Sequence, residues 1–269
     1  MAISEVWTRT IPVVVLVAAV LVGCAPPSDP APQTPPLAVR PPQPLPVSQV
    51  PPPTPAVVVL DPGHNGGNSA APAEINRQVP DGRGGRKACN TTGTATDAGY
   101  PEHEFTFDVA RRVEALLTAQ GVQVVLTRTD DAGIGPCVDV RGRAGQDHDA
   151  DAVVSIHADG ASAAGRGFHV AYASPPLDPV QDGPARALAE DLRTALVGAG
   201  FPTSTYVGRN GLSPRSDLAG LNHARRPAAL VECANMRNPG EAEVVASPEG
   251  RARYAAAIAA GVVEFLRRR

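Results

Sequence analysis

The chain has no excess of charge of either sign, and its basic residues include almost no lysine. Its 269 residues include 24 basic and 27 acidic ones, and Lys87 is the only lysine among them. A nucleic-acid-binding surface needs a basic patch or stripe, so this balance argues against DNA or RNA as a partner. We interpret the scarcity of lysine as a compositional bias without functional meaning.

The N-terminal region lacks an apolar run long enough to cross a bilayer. Its apolar stretch covers residues 11–22, whereas a transmembrane helix needs about 20 residues. A short apolar core followed by small residues is typical of a secretory signal peptide. The stretch ends in Leu21-Val22-Gly23-Cys24, which resembles a bacterial lipobox and implies cleavage before Cys24 and a lipid on its sulfur. An ordinary signal peptide that happens to contain a cysteine is the alternative.

These features divide the chain into three predicted parts and predict where the protein is located in the cell. We expect residues 1–23 to be a lipoprotein signal peptide and the protein to be exported and anchored to a membrane of the cell envelope, on its periplasmic or cell-wall side. Residues 24–56 are dominated by proline and carry almost no charge, so they should form an extended spacer of about 3 Å per residue. Residues 57–269 contain no low complexity and no repeat, as expected for one globular domain.

Within that domain, apolar strands alternate with helices. The first helix is predicted by apolar residues at helical spacing (Phe105, Val109, Val113, Leu116 and Leu117), and Gly121 is expected to end it at the C′ position. Strands that are apolar throughout and alternate with helices predict an α/β fold with a mostly parallel sheet covered on both faces. Ligands of such sheets bind at the carboxyl ends of the strands. The predicted strands are 57–60, 122–126, 152–156, 168–172 and 228–231, and the further helices are 138–147, 183–199 and 248–269.

Imidazole and carboxylate side chains lie where three of these strands end. The first strand is followed by His64, the strand at 152–156 by His157, and the last one by Glu232. The segment before the first helix adds Glu102-His103-Glu104. Two histidines and a carboxylate are the protein ligands of many catalytic zinc sites, in which water takes the fourth position. Spacing alone leaves an alternative open, because no compact His-Glu-x-x-His motif is present and a lone strand-end histidine is often a hydrogen-bonded structural residue.

The motifs around these residues resemble those of one enzyme family. Asp61-Pro62-Gly63-His64-Asn65-Gly66, Ser155-Ile156-His157-Ala158-Asp159 and Pro227-Ala228-Ala229-Leu230-Val231-Glu232 are similar to motifs of the zinc-dependent N-acetylmuramoyl-L-alanine amidases of type 3. Residues 102–128 and 235–238 resemble the family's ligand-bearing helix and the segment after its catalytic glutamate. The resemblance covers residues 57–269. It implies a single α/β domain with a central, roughly six-stranded sheet flanked by helices.

The resemblance also implies a site and a reaction. His64, Glu102 and His157 match the three Zn²⁺ ligands, and Glu232 matches the catalytic carboxylate that activates the attacking water. The implied reaction is hydrolysis of the amide bond between N-acetylmuramic acid and L-alanine in peptidoglycan. The near balance of charge suggests no obligate partner chain, so we expect a monomer. Glu102 has an alternative role, because His103 and Glu104 follow it directly. All three residues could simply form a polar first turn of the helix.

Two other functions stay open at this point. One is a zinc peptidase that acts on the stem peptide of peptidoglycan, and the other is a non-catalytic wall-binding lipoprotein. The presence of all three ligands and of the glutamate argues against the second, because a protein that had lost catalysis would be expected to lose one of them.

The remaining polar residues receive weaker predictions. His103 and His148 are expected to be solvated, and His169 and His223 to have structural roles. Asp61 could orient a ligand imidazole, or its only role could be to begin the turn that Pro62 and Gly63 continue. The long glycine-rich segment 65–99 should form one wall of the site. Its basic residues could meet carboxylates of the stem peptide, although solvated surface is the default; they are Arg77, Arg83, Arg86 and Lys87.

The positions of the cysteines are consistent with the predicted location outside the cytoplasm. With Cys24 lipidated, Cys89 and Cys137 lie in loops and are natural disulfide partners outside the cytoplasm. Cys233 follows an apolar strand and is expected to be a buried free thiol. Zinc binding by the cysteines is not expected, because they lack paired short spacing.

Overall fold

A computed structural model describes residues 55–268; the predicted signal peptide, Cys24 and nearly all of the proline-rich spacer lie outside this range. Within it, no helix combines the length and the hydropathy that crossing a membrane would need. The strands are β1 (Val57–Pro62), β2 (Gln78–Pro80), β3 (Arg86–Ala88), β4 (Gln123–Leu126), β5 (Ala152–Asp159), β6 (His169–Ala173), β7 (Leu212–Arg215) and β8 (Ala228–Asn235). The helices are α1 (Pro72–Ile75), α2 (Glu102–Thr118), α3 (Val138–Asp147), α4 (Pro179–Asp182), α5 (Pro184–Gly198), α6 (Ala219–Asn222), α7 (Pro239–Ala246) and α8 (Pro248–Arg267).

Six strands form the central sheet, in the order β4-β1-β5-β8-β6-β7. The first four run parallel, β6 is antiparallel to β8, and β7 is parallel to β6. The predicted mostly parallel α/β sheet is therefore confirmed. The edge strand β7 did not emerge from the residue pattern, because Leu212-Ser213-Pro214-Arg215 is short and polar and contains a proline, which sheets accept at an edge.

Helices cover both faces of this sheet. Side chains of a strand alternate between the faces, so Val58 and Leu60 belong to the larger core under α2, α5 and α8, whereas Val59 belongs to the smaller core under α3 and α6. In the larger core, Tyr254 of α8 stacks on Phe201 with ring centroids 3.9 Å apart. Full burial of a large apolar side chain contributes about 1.5–3 kcal/mol, so this layer supplies much of the stability.

The first long helix differs from the prediction at its surface and at its end. Leu116 is 40% exposed, because the buried stripe of α2 continues through Leu117 instead. The helix ends at Thr118, and Gly121, with φ 81°, lies beyond the C′ position expected for it. The reason is a tighter last turn, in which the Gly121 amide donates to the Thr118 carbonyl oxygen three residues earlier.

The long segment between β1 and α2 is more ordered than its composition suggests. It contains a 3₁₀ turn at Gly66–Ala70, helix α1 and the antiparallel hairpin of β2 and β3. The predicted disulfide between Cys89 and Cys137 is present and joins this segment to the start of α3. Cys233 is a buried free thiol, as predicted.

Candidate metal centre

The fold brings His64, Glu102 and His157 together, although they are far apart in sequence. One ligand atom from each lies within 4.8 Å of the other two. The Oε1 atom of Glu102 is 3.1 Å from Nε2 of His64 and 2.9 Å from Nδ1 of His157. The two imidazoles meet edge to face, with ring centroids 4.9 Å apart. The three predicted ligands thus form one compact group.

His64 is held through its backbone and through its ring. It follows β1 in a left-handed conformation with φ 59°, which is uncommon for a residue with a side chain. The buried guanidinium of Arg141 donates to the His64 carbonyl oxygen at 2.8 Å and so fixes this turn. On the ring, Nδ1 lies 3.1 Å from the carbonyl oxygen of Thr91. Because a carbonyl only accepts hydrogen bonds, Nδ1 carries the proton and Nε2 offers its lone pair to the centre of the group.

Glu102 is the first residue of α2 and is 4% exposed. Its Oε2 atom accepts a hydrogen bond from the Thr94 amide at 2.9 Å, and Oε1 accepts one from the Ala158 amide at 3.1 Å. Burial would raise the pKa of this carboxyl, but the imidazoles of His64 and His157 outweigh burial and lower it well below its usual range. The carboxylate is therefore ionised and aimed at both histidines, and the N-terminus of α2 favours its charge.

Two glycines allow the predicted ligands to approach the main chain. A Cβ atom on Gly63 would lie 2.3 Å from Cε1 of His157, closer than real contacts permit. A Cβ atom on Gly93, where φ is 80°, would lie 2.9 Å from Oε2 of Glu102. The ligand cluster consequently depends on the absence of side chains at these two positions.

Glu232 lies beside the three ligands. It belongs to β8 and is paired in register with His157 of the neighbouring parallel strand, so both side chains point to the same face of the sheet. Its Oε2 atom is buried and has no hydrogen-bond partner within residues 55–268. Burial, followed by the negative charges of Glu102 and Asp159, raises the pKa of the Glu232 carboxyl well above its usual value. A buried carboxyl oxygen without a partner among the described residues is placed to exchange a proton with a bound molecule.

A cavity of 510 Å³ contains all four of these side chains. Its wall includes Lys87, Ala88 and the loop from Asn90 to Thr94, so the long segment does form one wall, as predicted. Further lining comes from Leu218 and α6. The site is thus a concave pocket with several polar groups that converge at one end, which is the usual form of a catalytic site.

Asp61 does not orient a ligand imidazole. Its carboxylate accepts hydrogen bonds from Arg141 at 2.6 Å, Thr127 at 2.6 Å and Ser155 at 2.7 Å. Burial opposes ionisation, but the charge of Arg141 and these hydrogen bonds lower the pKa of Asp61 to about 2. The predicted support for a histidine is therefore indirect, because Asp61 holds Arg141 and Arg141 holds the His64 backbone.

The other histidines follow the predictions with one exception. His148 is exposed, and neither His169 nor His223 lines the cavity. His103 is not simply solvated, because its Nδ1 atom lies 2.8 Å from Oδ2 of Asp131 and its side chain is only 22% exposed. This contact ties the start of α2 to the loop after β4.

The basic residues of the long segment do not share one role. Arg83 donates to Asn222 and to the Pro175 carbonyl oxygen, and Arg86 donates to the Gln78 carbonyl oxygen. Only Lys87 among these four basic residues lines the cavity. For the other three, structural contacts or solvent exposure account for the side chain.

The residues that support the ligands could not be recognised from the sequence. Thr94 acts through its backbone amide, which any residue type supplies, and Arg141 lies in an ordinary amphipathic helix. Thr91 contacts Nδ1 of His64 through its carbonyl oxygen and also through its hydroxyl, at 3.2 Å, but a threonine in a polar loop carries no signal of such a contact. Gly93 offered the one usable signal, as a glycine between polar residues in a loop that returns to a predicted ligand.

The chemistry of the group fits a metal ion. Two imidazole nitrogens and one carboxylate oxygen converge, and such a three-ligand set is common at catalytic metal sites. The unpartnered Oε2 atom of Glu232 beside it is suited to handle a proton rather than to complete a hydrogen-bond network.

Comparisons with known proteins identify the family to which the domain is similar. The profile of a family described as N-acetylmuramoyl-L-alanine amidase (Amidase_3) matches residues 58–264. An N-acetylmuramoyl-L-alanine amidase of Mycobacterium tuberculosis is 50% identical over 210 residues, which are 78% of this chain and 86% of that protein. The crystal structure of the N-acetylmuramyl-L-alanine amidase Ami1 from Mycobacterium smegmatis is similar with a TM-score of 0.78 and 52% identity, over 80% of this chain and 98% of that one. The apo form of Ami1 from Mycobacterium abscessus has a TM-score of 0.76 and 51% identity, over 78% of this chain and 98% of that one.

Proposed function

Since the chain belongs to the N-acetylmuramoyl-L-alanine amidase family, we propose that it cleaves the muramyl–alanine amide of peptidoglycan with a zinc ion held by His64, Glu102 and His157. The observation that carries the proposal is the convergence of these three side chains beside the buried carboxyl of Glu232. Peptidoglycan amidase activity follows from membership of the family. The identity of the metal ion and the roles of the four residues are what we propose.

Zinc is the proposed metal because of the donor set. Imidazole and carboxylate ligands in a three-residue set are typical of catalytic zinc, whereas magnesium and calcium prefer oxygen ligands alone. When bound, zinc polarises a substrate carbonyl and lowers the pKa of water to about 7. His64 and His157 would supply nitrogen ligands, and Glu102 the anionic oxygen.

Glu232 performs the proton transfers in this proposal. Oε2 accepts a proton from the water whose oxygen attacks the carbonyl carbon of the lactyl group. The same carboxyl then gives this proton to the nitrogen of L-alanine as the carbon–nitrogen bond breaks. The products are a muramic acid with a free lactyl carboxyl and a stem peptide with a free amino terminus. The position of Glu232 supports both steps, because no hydrogen bond from residues 55–268 competes for its buried Oε2 atom.

The reaction is proposed to take place in the cell envelope. A lipid on Cys24 would hold the chain at a membrane, and the spacer of residues 24–56 would let the domain reach ~100 Å from it at about 3 Å per residue. A monomer is sufficient for the proposed mechanism, because all four functional side chains belong to one chain.

Mass spectrometry of muropeptides incubated with the full-length protein tests the proposal. With zinc present, we expect stem peptides that begin with L-alanine, and after chelation we expect none. Glu232→Ala should keep one zinc per chain and lose about 10²–10⁴-fold in kcat, the usual contribution of a positioned acid–base group. The exposed Glu104, two residues after a proposed ligand, gives a matched control, since Glu104→Ala should keep both zinc and activity.

Other results would change the assignment. Products cut within the stem peptide would support a zinc peptidase instead. Loss of zinc from Glu232→Ala would make Glu232 a ligand, and full activity without metal would contradict the proposed centre.

A further inference from the structure

The only lysine of the chain lies in the wall of the catalytic cavity. Lys87 belongs to β3, the second strand of the hairpin, and lines the same cavity as the proposed metal ligands and Glu232. From there its Nζ atom donates to the main-chain oxygen of Asp217 at 2.9 Å, just before Leu218 and α6. Lys87 therefore connects the hairpin to the segment that leads into α6, which forms another part of the cavity wall.

Of the lysine and the arginine that line the cavity, Lys87 forms no ion pair among the described residues, and the negative charges of Asp81 and Asp217 act on it only at longer range. The other basic side chain in the lining is Arg141, whose buried guanidinium is paired with Asp61 and donates to three carbonyl oxygens. Glu102 is matched by the two imidazoles. Within the described residues, the Lys87 ammonium donates one hydrogen bond, to a neutral carbonyl oxygen, whereas an ammonium has three donors. An anion that enters the cavity can take one of the remaining donors of this ammonium.

The cavity has room for a peptide beyond the reacting bond. It follows the face of β8 from Glu232 back to Ala228, a distance of about 13 Å at 3.3 Å per residue. Leu218, Leu221 and Leu230 make this part of the lining largely apolar. Such a surface accepts the alanine methyl group and the main chain of a short peptide, and Lys87 interrupts it with a single positive charge.

We propose that Lys87 binds a carboxylate of the stem peptide, on the residue that follows L-alanine, and so makes the enzyme selective for the free acid over the amide. This inference rests on the proposed function. The residue after L-alanine in peptidoglycan is a glutamate linked through its side-chain carboxyl, so its α-carboxyl is either free or amidated. An ammonium forms a charge-assisted hydrogen bond with the free carboxylate, which the neutral amide cannot match.

Two substrates that differ only at this carboxyl test the proposal. They are N-acetylmuramyl-L-alanyl-D-glutamate and N-acetylmuramyl-L-alanyl-D-isoglutamine, each cleaved by the zinc-loaded, full-length protein. We expect kcat/KM to be about tenfold higher for the acid, mostly through a lower KM. A tenfold ratio is the lower end of the contribution of a hydrogen bond to a charged group, and we expect the lower end because the site is partly exposed. In Lys87→Gln this ratio should fall to about one, and in Lys87→Arg it should be largely kept.

Arg86 provides a matched control on the same strand. It is exposed and donates only to the Gln78 carbonyl oxygen within the described part of the chain, so Arg86→Gln removes a neighbouring charge and should keep the tenfold ratio. A ratio near one in the wild type, or an unchanged ratio in Lys87→Gln, would overturn the role of Lys87 while leaving the amidase intact. Absence of cleavage of both substrates would instead overturn the proposed function, and this inference with it.

Discussion

A methyl group added at Gly63 should expel one metal ligand without unfolding the protein. In Gly63→Ala the new Cβ atom would lie 2.3, 2.5 and 2.6 Å from three atoms of the His157 ring. Ordinary van der Waals contact begins at 3.4 Å, so the ring must retreat by about 1 Å, the difference between these distances. The backbone itself tolerates alanine, because φ at Gly63 lies outside the left-handed region.

A movement of this size is large for a metal site. Metal–ligand distances are held within about 0.2 Å, so a displacement of about 1 Å removes His157 from effective coordination. Perturbations of supporting residues typically cost 10–100-fold in metal affinity, and the direct displacement of a ligand should reach at least the upper end of that range. We therefore expect a loss of about 100-fold in zinc affinity, or about 2.7 kcal/mol.

Zinc affinity measured by competition with a chromogenic chelator, together with thermal melting of the metal-free protein, tests this reasoning. Gly183→Ala is the control, because a Cβ atom there meets nothing within 4 Å; it should keep wild-type affinity. In a His157→Ala background, Gly63→Ala should cost almost nothing further, since the clash has gone. Wild-type zinc affinity in Gly63→Ala, or equal losses in both backgrounds, would refute the reasoning.

Three further changes probe the buried ion pair, a buried imidazole and the proposed membrane anchor. Asp61→Asn leaves the Arg141 guanidinium buried without its counter-charge, so urea denaturation should show a loss of about 3 kcal/mol; a loss well under 1 kcal/mol would contradict this. Burial lowers the pKa of His169 from 6.5 to about 4. Between these two pH values His169 binds a proton in the unfolded chain but not in the folded protein. The free energy of unfolding should therefore fall by about 3 kcal/mol as the pH drops from 6.5 to 4. His169→Phe should flatten that slope in melting curves, and an unchanged slope would rule out His169 as its source. Cys24→Ala should release the protein from membranes with kcat unchanged, and persistent membrane fractionation would refute the predicted lipid anchor.

The main elements were predictable because burial leaves a clear periodic signal. The central strands β1, β5 and β8 each begin with a continuous apolar run, and the helix over Val138–Asp147 was predicted at its exact bounds. The edge strand β7 and the hairpin of β2 and β3 were missed for the opposite reason. They are short and partly exposed, so packing on neighbours, rather than apolar sequence, decides their conformation.

The ligand group was predictable only through its positions at strand ends and through motif resemblance. Spacing could not show that Glu102 faces two histidines, because that contact joins residues 55 positions apart and depends on how α2 packs across the sheet. The contacts around Arg141 and Asp61 were equally hidden. Their partners are mostly carbonyl oxygens and residues of other strands, which acquire meaning only after the chain has folded.

The wide separation of the three proposed zinc ligands along the chain has a consequence for the order of assembly. No short segment contains two of them, so an unfolded chain has no local chelating motif, in contrast to a zinc finger. Strands β1 and β5 and helix α2 must first be docked, which makes ion capture a late event that follows formation of non-local contacts. Zinc should then act on the native state by mass action, raising the melting temperature with its free concentration and leaving the folding rate unchanged.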